Sequence, residues 1–266
     1  MIRRFLPVLL ALFAGFPFSS AVYAGPAFAA ESGEQKVALL ELYTSEGCSS
    51  CPPADRFVSR LEEAGYYPGR VVPLAFHVTY WDYIGWRDPY ARAVYDAHQY
   101  DMAARQKNRN VYTPQLILDG RDLRGTGGFD ERLRVASAQA PAAHLRVRGN
   151  VDDAAVQLNV GVTVENPELR RASVLYVALV ESRLSSQVNA GENRGRKLQH
   201  DHVVRQLAGP LRLPAGQSGS EHKLSIAIPE AVSRTNASLA VFVQNQEDGS
   251  VLQVLSTPIG GEDPPS

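Results

Sequence analysis

The sequence predicts two folded units, an α/β domain followed by an all-β sandwich. Three observations lead to this prediction. The first half alternates short apolar runs with helical patterns, the second half contains short alternating runs separated by turn residues, and the composition changes near residue 141. With 266 residues, of which 44% are hydrophobic, the chain is long enough for one large or two ordinary domains with real cores.

The first 29 residues are expected to be a signal peptide. Two arginines form a short positive start, residues 5–18 are apolar, and small residues follow, which predicts cleavage after Ala24 or Ala29. An uncleaved membrane anchor is the alternative, but the apolar run is short for a span and contains two prolines. The mature protein is therefore expected in the periplasm or secreted, without stable membrane insertion, in a compartment where disulfides persist.

The α/β domain is predicted over residues 33–140, from apolar runs typical of buried strands and from segments with helical spacing. Asp88 and Pro89 are typical of the N-cap and first position of a helix. Asp119-Gly120 is typical of a tight hairpin turn. The predicted strands, helices and hairpin follow one another in the order of the thioredoxin core, over residues 36–43, 54–64, 70–78, 88–108, 111–124 and 129–140.

The second domain is predicted over residues 143–258. It contains seven short runs rich in β-branched residues, separated by turn residues such as Asn166-Pro167 and Asp248-Gly249. This pattern of short strands separated by turns predicts an antiparallel sandwich of immunoglobulin-like type, which would serve as a docking or dimerisation module. The strands are expected at residues 143–148, 155–164, 173–181, 198–207, 221–228, 238–246 and 251–257.

The chemistry is expected at Cys48 and Cys51, the only cysteines of the chain, in a C-x-x-C motif between a predicted strand and helix. This context favours a redox dithiol, with a permanent structural disulfide as the alternative. Because a helix N-terminus stabilises an anion, Cys48 is predicted to be an exposed nucleophile with a lowered pKa, and Cys51 the resolving thiol. The prolines after Cys51 predict that the helix begins at Pro52 or Pro53.

Three motifs resemble a family of secreted bacterial thioredoxin-like proteins of unknown function: GCSSCPPAD at residues 47–55, FHVxYWDYxGW at 76–86 and VYTPQ at 111–115. The resemblance implies a thioredoxin-like fold and a cis-proline at Pro114 that faces the dithiol. It also implies that the backbone of Thr113 orients an extended substrate. It brings no established reaction. The dipeptide between the cysteines is Ser-Ser, where thioredoxin carries Gly-Pro, so a redox potential does not transfer.

Aromatic residues and a histidine follow the second predicted strand. Trp81 and Trp86 are predicted to border the dithiol and bind an extended partner, or else to be a packed aromatic loop. His77 ends the strand and would approach the dithiol, or else be hydrogen-bonded within the structure. His200 and His202 are predicted to share one face of a strand. The loop at residues 191–197 is predicted to be solvated, or to reach across to the first domain.

These features predict an extracytoplasmic thiol–disulfide redox protein, a possible thiol–disulfide oxidoreductase, that acts on protein thiols or disulfides without a cofactor. One alternative is binding or delivery of copper or another soft metal through Cys48, Cys51 and His77. Another is a non-catalytic interaction protein with an inert disulfide. The formal net charge is −1 and no basic run follows the first residues, so nucleic-acid binding is not expected.

Overall fold

The computed structural model describes residues 27–108 and 110–260. The strands before residue 141 are β1 (Ala27–Glu31), β2 (Ala38–Thr44), β3 (Val71–His77), β4 (Gln115–Leu118) and β5 (Arg121–Asp122). The strands after it are β6 (His144–Val151), β7 (Ala155–Thr163), β8 (Ser173–Glu181), β9 (Leu184–Gln187), β10 (Lys197–His200), β11 (Val203–Arg212), β12 (Gly219–Ala227), β13 (Ala237–Asn245) and β14 (Val251–Pro258). The helices are α1 (Pro52–Ser59), α2 (Ala93–Arg105), α3 (Phe129–Ser137) and α4 (Pro167–Ala172), with two short 3-10 turns at Asp82–Ile84 and Arg234–Asn236.

A single mixed sheet of eight strands joins the two halves of the chain, in the order β14-β13-β8-β11-β3-β2-β4-β5. β2 and β3 are parallel, and β11 joins them by pairing in parallel with β3 at Val203 and Ala75. The other pairs are antiparallel. Half of the strands in this sheet therefore come from the segment that was expected to form a separate sandwich.

The predicted fold class is wrong. The molecule is mostly β, with large mixed sheets and few helices, and it is not an α/β thioredoxin-like domain followed by an immunoglobulin-like sandwich. The physical reason is strand pairing, because the second-half strands β8, β11, β13 and β14 continue the sheet of β2 and β3. Periodicity identifies a strand but not its neighbour. The boundary expected near residue 141 falls between α3 and β6, and the division into domains at residues 33–140 and 143–258 stays a prediction.

The layers follow from alternation along the central strands. On β8, Val177 and Leu179 face a core shared with the second sheet, which has the order β1-β6-β7-β12. Tyr176 and Ala178 face the opposite side, where α2 packs through Tyr95 and Met102. On β2 and β4, the face of the sheet that corresponds to Val177 and Leu179 packs against helices α1 and α3 instead of the second sheet. The central sheet is thus covered on both faces, which explains why every residue of β8 is buried.

The predicted signal peptide, residues 1–29, is only partly described by the structure, because residues 1–26 lie outside the described residues. Ala27–Glu31 form edge strand β1, which pairs with β6 from Ala27–Asn150 to Glu31–Arg146. Phe28 packs against the core between the sheets. No helix among the described residues is long and apolar enough to cross a membrane.

One helix and one strand have bounds that differ from the predicted ones. The helix expected from Asp88 begins at Ala93, because the Asp88 carboxylate accepts a hydrogen bond from the backbone N–H of Tyr90 in a turn and also contacts His77. The strand expected over residues 198–207 is divided into β10 and β11 by His202, whose φ is +57°. This break separates His200 from His202, so the prediction that they share a face of one strand is wrong.

Candidate functional site

Cys48 and Cys51 form a disulfide in the turn between β2 and α1. Cys51 is the N-cap residue of α1, which begins at Pro52 as the two prolines predicted. Both cysteines are 0% exposed, although Ser49 and Ser50 between them are exposed. The expectation that Cys48 is an exposed thiol is therefore wrong in this disulfide form.

The hairpin of β9 and β10 is hydrogen-bonded to the backbone of the cysteine turn. Asn193, which is fully buried, donates hydrogen bonds from Nδ2 to the carbonyl oxygens of Glu46 (2.8 Å) and Cys48 (2.9 Å). The carboxylate of Glu192 accepts a hydrogen bond of 3.0 Å from the backbone N–H of Ser49. Hydrogen bonding from Ser49 holds the pKa of Glu192 below its usual range. The loop at residues 191–197 thus reaches across to the C-x-x-C turn.

The two tryptophans lie beside the same turn, and both are half-buried. The indole N–H of Trp81 donates to Thr113 Oγ1 at 2.7 Å, and that of Trp86 donates to Glu46 Oε2 at 2.8 Å. A Cβ atom placed on Gly47 would lie only 3.1 Å from the Cβ of Trp81, so glycine permits this close approach. The tryptophans anchor the loop inward, while Tyr83 between them is 81% exposed.

The Thr113–Pro114 peptide bond is cis, as the resemblance implied. It lies directly before β4, whose antiparallel pairing of Gln115 with Tyr43 places it beside the end of β2. The C-x-x-C turn begins at that end. Trp81, through its bond to Thr113, connects the cis-proline segment to the cysteine turn.

A buried group of acids and imidazoles lies under the hairpin. Glu46 Oε1 bonds His200 Nε2 at 3.0 Å, and Asp88 Oδ2 bonds His77 Nδ1 at 2.7 Å. The backbone N–H of Glu46 donates to the same Asp88 oxygen at 2.9 Å, which links the two pairs. The rings of His77 and His200 are nearly perpendicular, with centroids 4.9 Å apart. All four side chains are at most 2% exposed.

Burial and charge compete in setting the pKa values of this group. Burial lowers the pKa of His77, but the charge of Asp88 and the hydrogen bond to it outweigh burial, so the pKa is raised. Burial raises the pKa of Asp88, but His77 outweighs it and the pKa is lowered. For Asp55 in α1, burial prevails over the attraction of His200 and His77, and its pKa is raised.

The structure does not assemble the alternative metal site. Cys48 and Cys51 are bonded to each other, and His77 uses Nδ1 for Asp88. Among the described residues, no three or more histidine, cysteine, aspartate or glutamate side chains are grouped so that they could hold a metal ion.

Sequence reasoning missed several residues of this site: Glu46, Asp88, Glu192 and Asn193. Glu46 had a local signal, since it is an acid two residues before Cys48, just after a mostly apolar strand pattern. Asp88 was indicated only as a helix N-cap, and Glu192 and Asn193 only as part of a loop that could reach the first domain, because their contacts depend on how distant segments fold back onto the turn.

Residues 39–244 match the model of a family described as "Protein of unknown function (DUF1223)". The chain belongs to this family. The resemblance to a family without an established function is thereby confirmed. No protein of curated function matches the chain.

Two solved structures share the fold of this member of the DUF1223 family. An Agrobacterium tumefaciens protein, determined by X-ray crystallography, is 24% identical, with a TM-score of 0.61, and the match covers 88% of this chain and 99% of that one. HBP35 of Porphyromonas gingivalis is 13% identical, with a TM-score of 0.67, over 85% of this chain and 76% of that one. At these identities the similarity shows the fold alone.

Proposed function

We propose that the protein is a thiol–disulfide redox protein that exchanges its Cys48–Cys51 disulfide with thiols of other proteins outside the cytosol. The observation that carries this proposal is the placement of the only two cysteines as a C-x-x-C disulfide at the N-cap of α1. A strand–turn–helix context of this kind favours redox use of the pair. The leader pattern of residues 1–29 and the disulfide itself support a periplasmic or secreted location.

The exchange proceeds in two balanced steps. A partner thiolate attacks Cys48 Sγ, the S–S bond breaks, and Cys51 leaves as a thiolate while Cys48 forms a mixed disulfide with the partner. A second partner thiolate then attacks the partner's sulfur in the mixed disulfide and releases Cys48. The partner has lost two electrons to the cysteine pair, and protons follow from solvent. With a reduced protein and an oxidised partner, the same steps run in reverse.

The N-cap position supports this assignment of roles. The positive end of the α1 dipole stabilises negative charge on the Cys51 sulfur when it leaves. A stabilised thiolate is the better leaving group. Cys48, one turn earlier, is then the residue that carries the partner.

Partner binding is proposed at the surface formed by Trp81, Trp86, Thr113 and Pro114. Both indole N–H groups are already bonded inside the protein, so the exposed parts of the rings are what remains for a partner. Tyr83 stacks on Trp81 with ring centroids 6.4 Å apart and extends this aromatic surface. Aromatic side chains bury partner surface at low cost in conformational entropy.

The deciding experiment equilibrates the folded protein with glutathione buffers of graded potential and counts free thiols by alkylation and mass spectrometry. We expect a reversible transition within the range of roughly −270 to −120 mV that redox-active proteins occupy. Cys51→Ala should trap mixed disulfides on Cys48, and a variant that lacks both cysteines is the matched control. A pair that stays oxidised down to about −300 mV is a structural disulfide and contradicts the proposal.

A further inference from the structure

The hairpin of β9 and β10 stands apart from the other strands. It forms a two-stranded sheet of its own, with pairs from Lys197–Gln187 to His200–Leu184. Its tip contacts the backbone of the cysteine turn, and both cysteines are 0% exposed. A nucleophile must reach a sulfur atom to break the disulfide, so some part of the structure around the cysteines has to move before any exchange.

We propose that the β9–β10 hairpin, residues 184–200, is a gate that controls access of partner thiols to the Cys48–Cys51 disulfide. This inference rests on the proposed redox function, because it describes the regulation of the same site. In the closed state the hairpin excludes nucleophiles from the disulfide. In the open state it exposes the cysteine turn next to the aromatic surface.

The residues at the two ends of the hairpin have left-handed backbone conformations and serve as its hinge. Arg183 precedes β9 with φ of +60°, and His202 follows β10 with φ of +57°. Both are non-glycine residues in the left-handed region, which is uncommon and costs conformational energy. Hydrogen bonds across the base, from His202 N to Ser182 Oγ and from Arg183 N to Asp201 Oδ1, keep the two ends together. The arm beyond them can therefore move as one piece.

The contacts that hold the gate closed are polar at its tip, while the buried side chains of Val188 and Leu198 add apolar contact along its strands. Asn193 bonds two carbonyl oxygens of the cysteine turn, Glu192 bonds the N–H of Ser49, and His200 bonds Glu46. Water can replace each of these partners when the arm lifts, so opening costs less than separating an apolar surface of the same size. Asn193 is the central residue, because its Oδ1 also accepts a bond from Arg196 that fixes the orientation of its amide.

Asn193→Ala tests the gate directly. Removal of this amide leaves the carbonyl oxygen of Glu46 without its donor in the closed state, and leaves that of Cys48 with only the N–H of Cys51 at 3.2 Å, which favours the open state. We expect the folded variant to be reduced by tris(2-carboxyethyl)phosphine roughly tenfold faster than the natural protein. The phosphine breaks the S–S bond and ends as its oxide with an oxygen atom from water, leaving two thiols, which are counted by alkylation.

Lys197→Ala is the matched control, since Lys197 lies on the same hairpin with an exposed side chain. Its reduction rate should equal that of the natural protein. Glu192→Ala removes only an exposed contact to Ser49, so it provides a second test if Asn193→Ala does not fold. We expect a smaller increase, of about two- to fivefold.

Equal reduction rates in the natural protein and in both gate variants would overturn the gate. So would faster reduction that merely follows a lower urea midpoint of unfolding, because the whole fold would then have opened. The phosphine reduces an accessible disulfide whatever its function. A gate failure therefore appears in these rates, whereas a failure of the redox proposal appears in the glutathione equilibrium.

Discussion

Two fully buried glutamates lie close together in the chain, one within β2 and one just after it, and different kinds of structure surround them. Glu41 in β2 accepts hydrogen bonds from His98 Nε2 (2.8 Å) and the hydroxyl of Tyr43 (3.2 Å). Glu46, just beyond β2, is bonded by His200 and Trp86. The chemistry is the same, an acid with an imidazole and an aromatic donor, but the partners belong to different kinds of structure.

The difference lies in what carries the imidazole. His98 is on α2, whose apolar face packs against the central sheet beside Phe76 and Tyr176. His200 is on a hairpin that forms its own two-stranded sheet and makes polar contacts with the cysteine turn. A pair held by a packed core supports the fold, whereas a pair held by a separate arm can open without unfolding the molecule.

The largest expected effect is on the core pair. His98→Ala leaves the fully buried Glu41 without its imidazole partner, which should lower the free energy of unfolding by about 3–5 kcal/mol. Urea denaturation measures this change. The rate of disulfide reduction in the folded variant should stay unchanged. An accelerated rate would mean that the core pair and the gate are coupled, and the contrast between the two regions would fail.

A slightly smaller effect concerns His202 at the base of the hairpin. Burial lowers the pKa of His202 from 6.5 to about 4, against a weaker opposing effect of Asp201. Because the folded pKa is lower than the unfolded one, the stabilisation is complete above pH 6.5. It is lost as the pH falls toward 4, by about 3 kcal/mol in total. Unfolding free energies measured between pH 7 and 4 should show this slope, and it should be absent in His202→Gln.

The N-terminal strand offers a test of the predicted cleavage. A chain that begins at Gly25 keeps all of β1, while one that begins at Ala30 loses Phe28 and three of the register pairs with β6. We expect the shorter chain to be less stable by about 2 kcal/mol, from lost apolar burial. Thermal unfolding of both forms measures the difference. The intact mass of the exported protein shows which of the two predicted cleavage sites is used. Because β1 stabilises the fold, we expect cleavage after Ala24, and a mature chain that begins at Ala30 would contradict this choice between the two.

The smallest expected effect is a difference between phenylalanine substitutions of the two tryptophans. Trp86→Phe removes the donor to the buried Glu46, and should cost about 1 kcal/mol and speed reduction of the disulfide slightly. Trp81→Phe removes the donor to Thr113 instead, and serves as the matched control. Urea denaturation and reduction kinetics compare them. Equal kinetics in both variants would place Glu46 outside the contacts that hold the gate closed.

The local features of this protein follow from its amino-acid sequence. The C-x-x-C turn between β2 and α1, the helix start at Pro52 and most of the strands were predictable, because each depends on neighbouring residues, their periodicity and their turn chemistry. The end of the second predicted strand indicated that Trp81 and Trp86 lie beside the cysteine turn, and the family resemblance implied the same for Thr113–Pro114.

Which strands pair, and which distant segment contacts the cysteine turn, became visible in the three-dimensional structure alone. β11 joins β3 through residues 128 positions apart in the chain (203 − 75), and Asn193 reaches Cys48 across 145 positions. A strand with both faces buried has no alternating pattern of apolar and polar residues, and its sequence does not indicate which strand pairs with it. A polar loop has the same kind of sequence whether its side chains form hydrogen bonds with water or with a distant carbonyl oxygen. Strand pairing and the contacts of the cysteine turn depend on hydrogen bonds and packing between segments that meet only after folding, so the central sheet and the buried state of Cys48 emerge there.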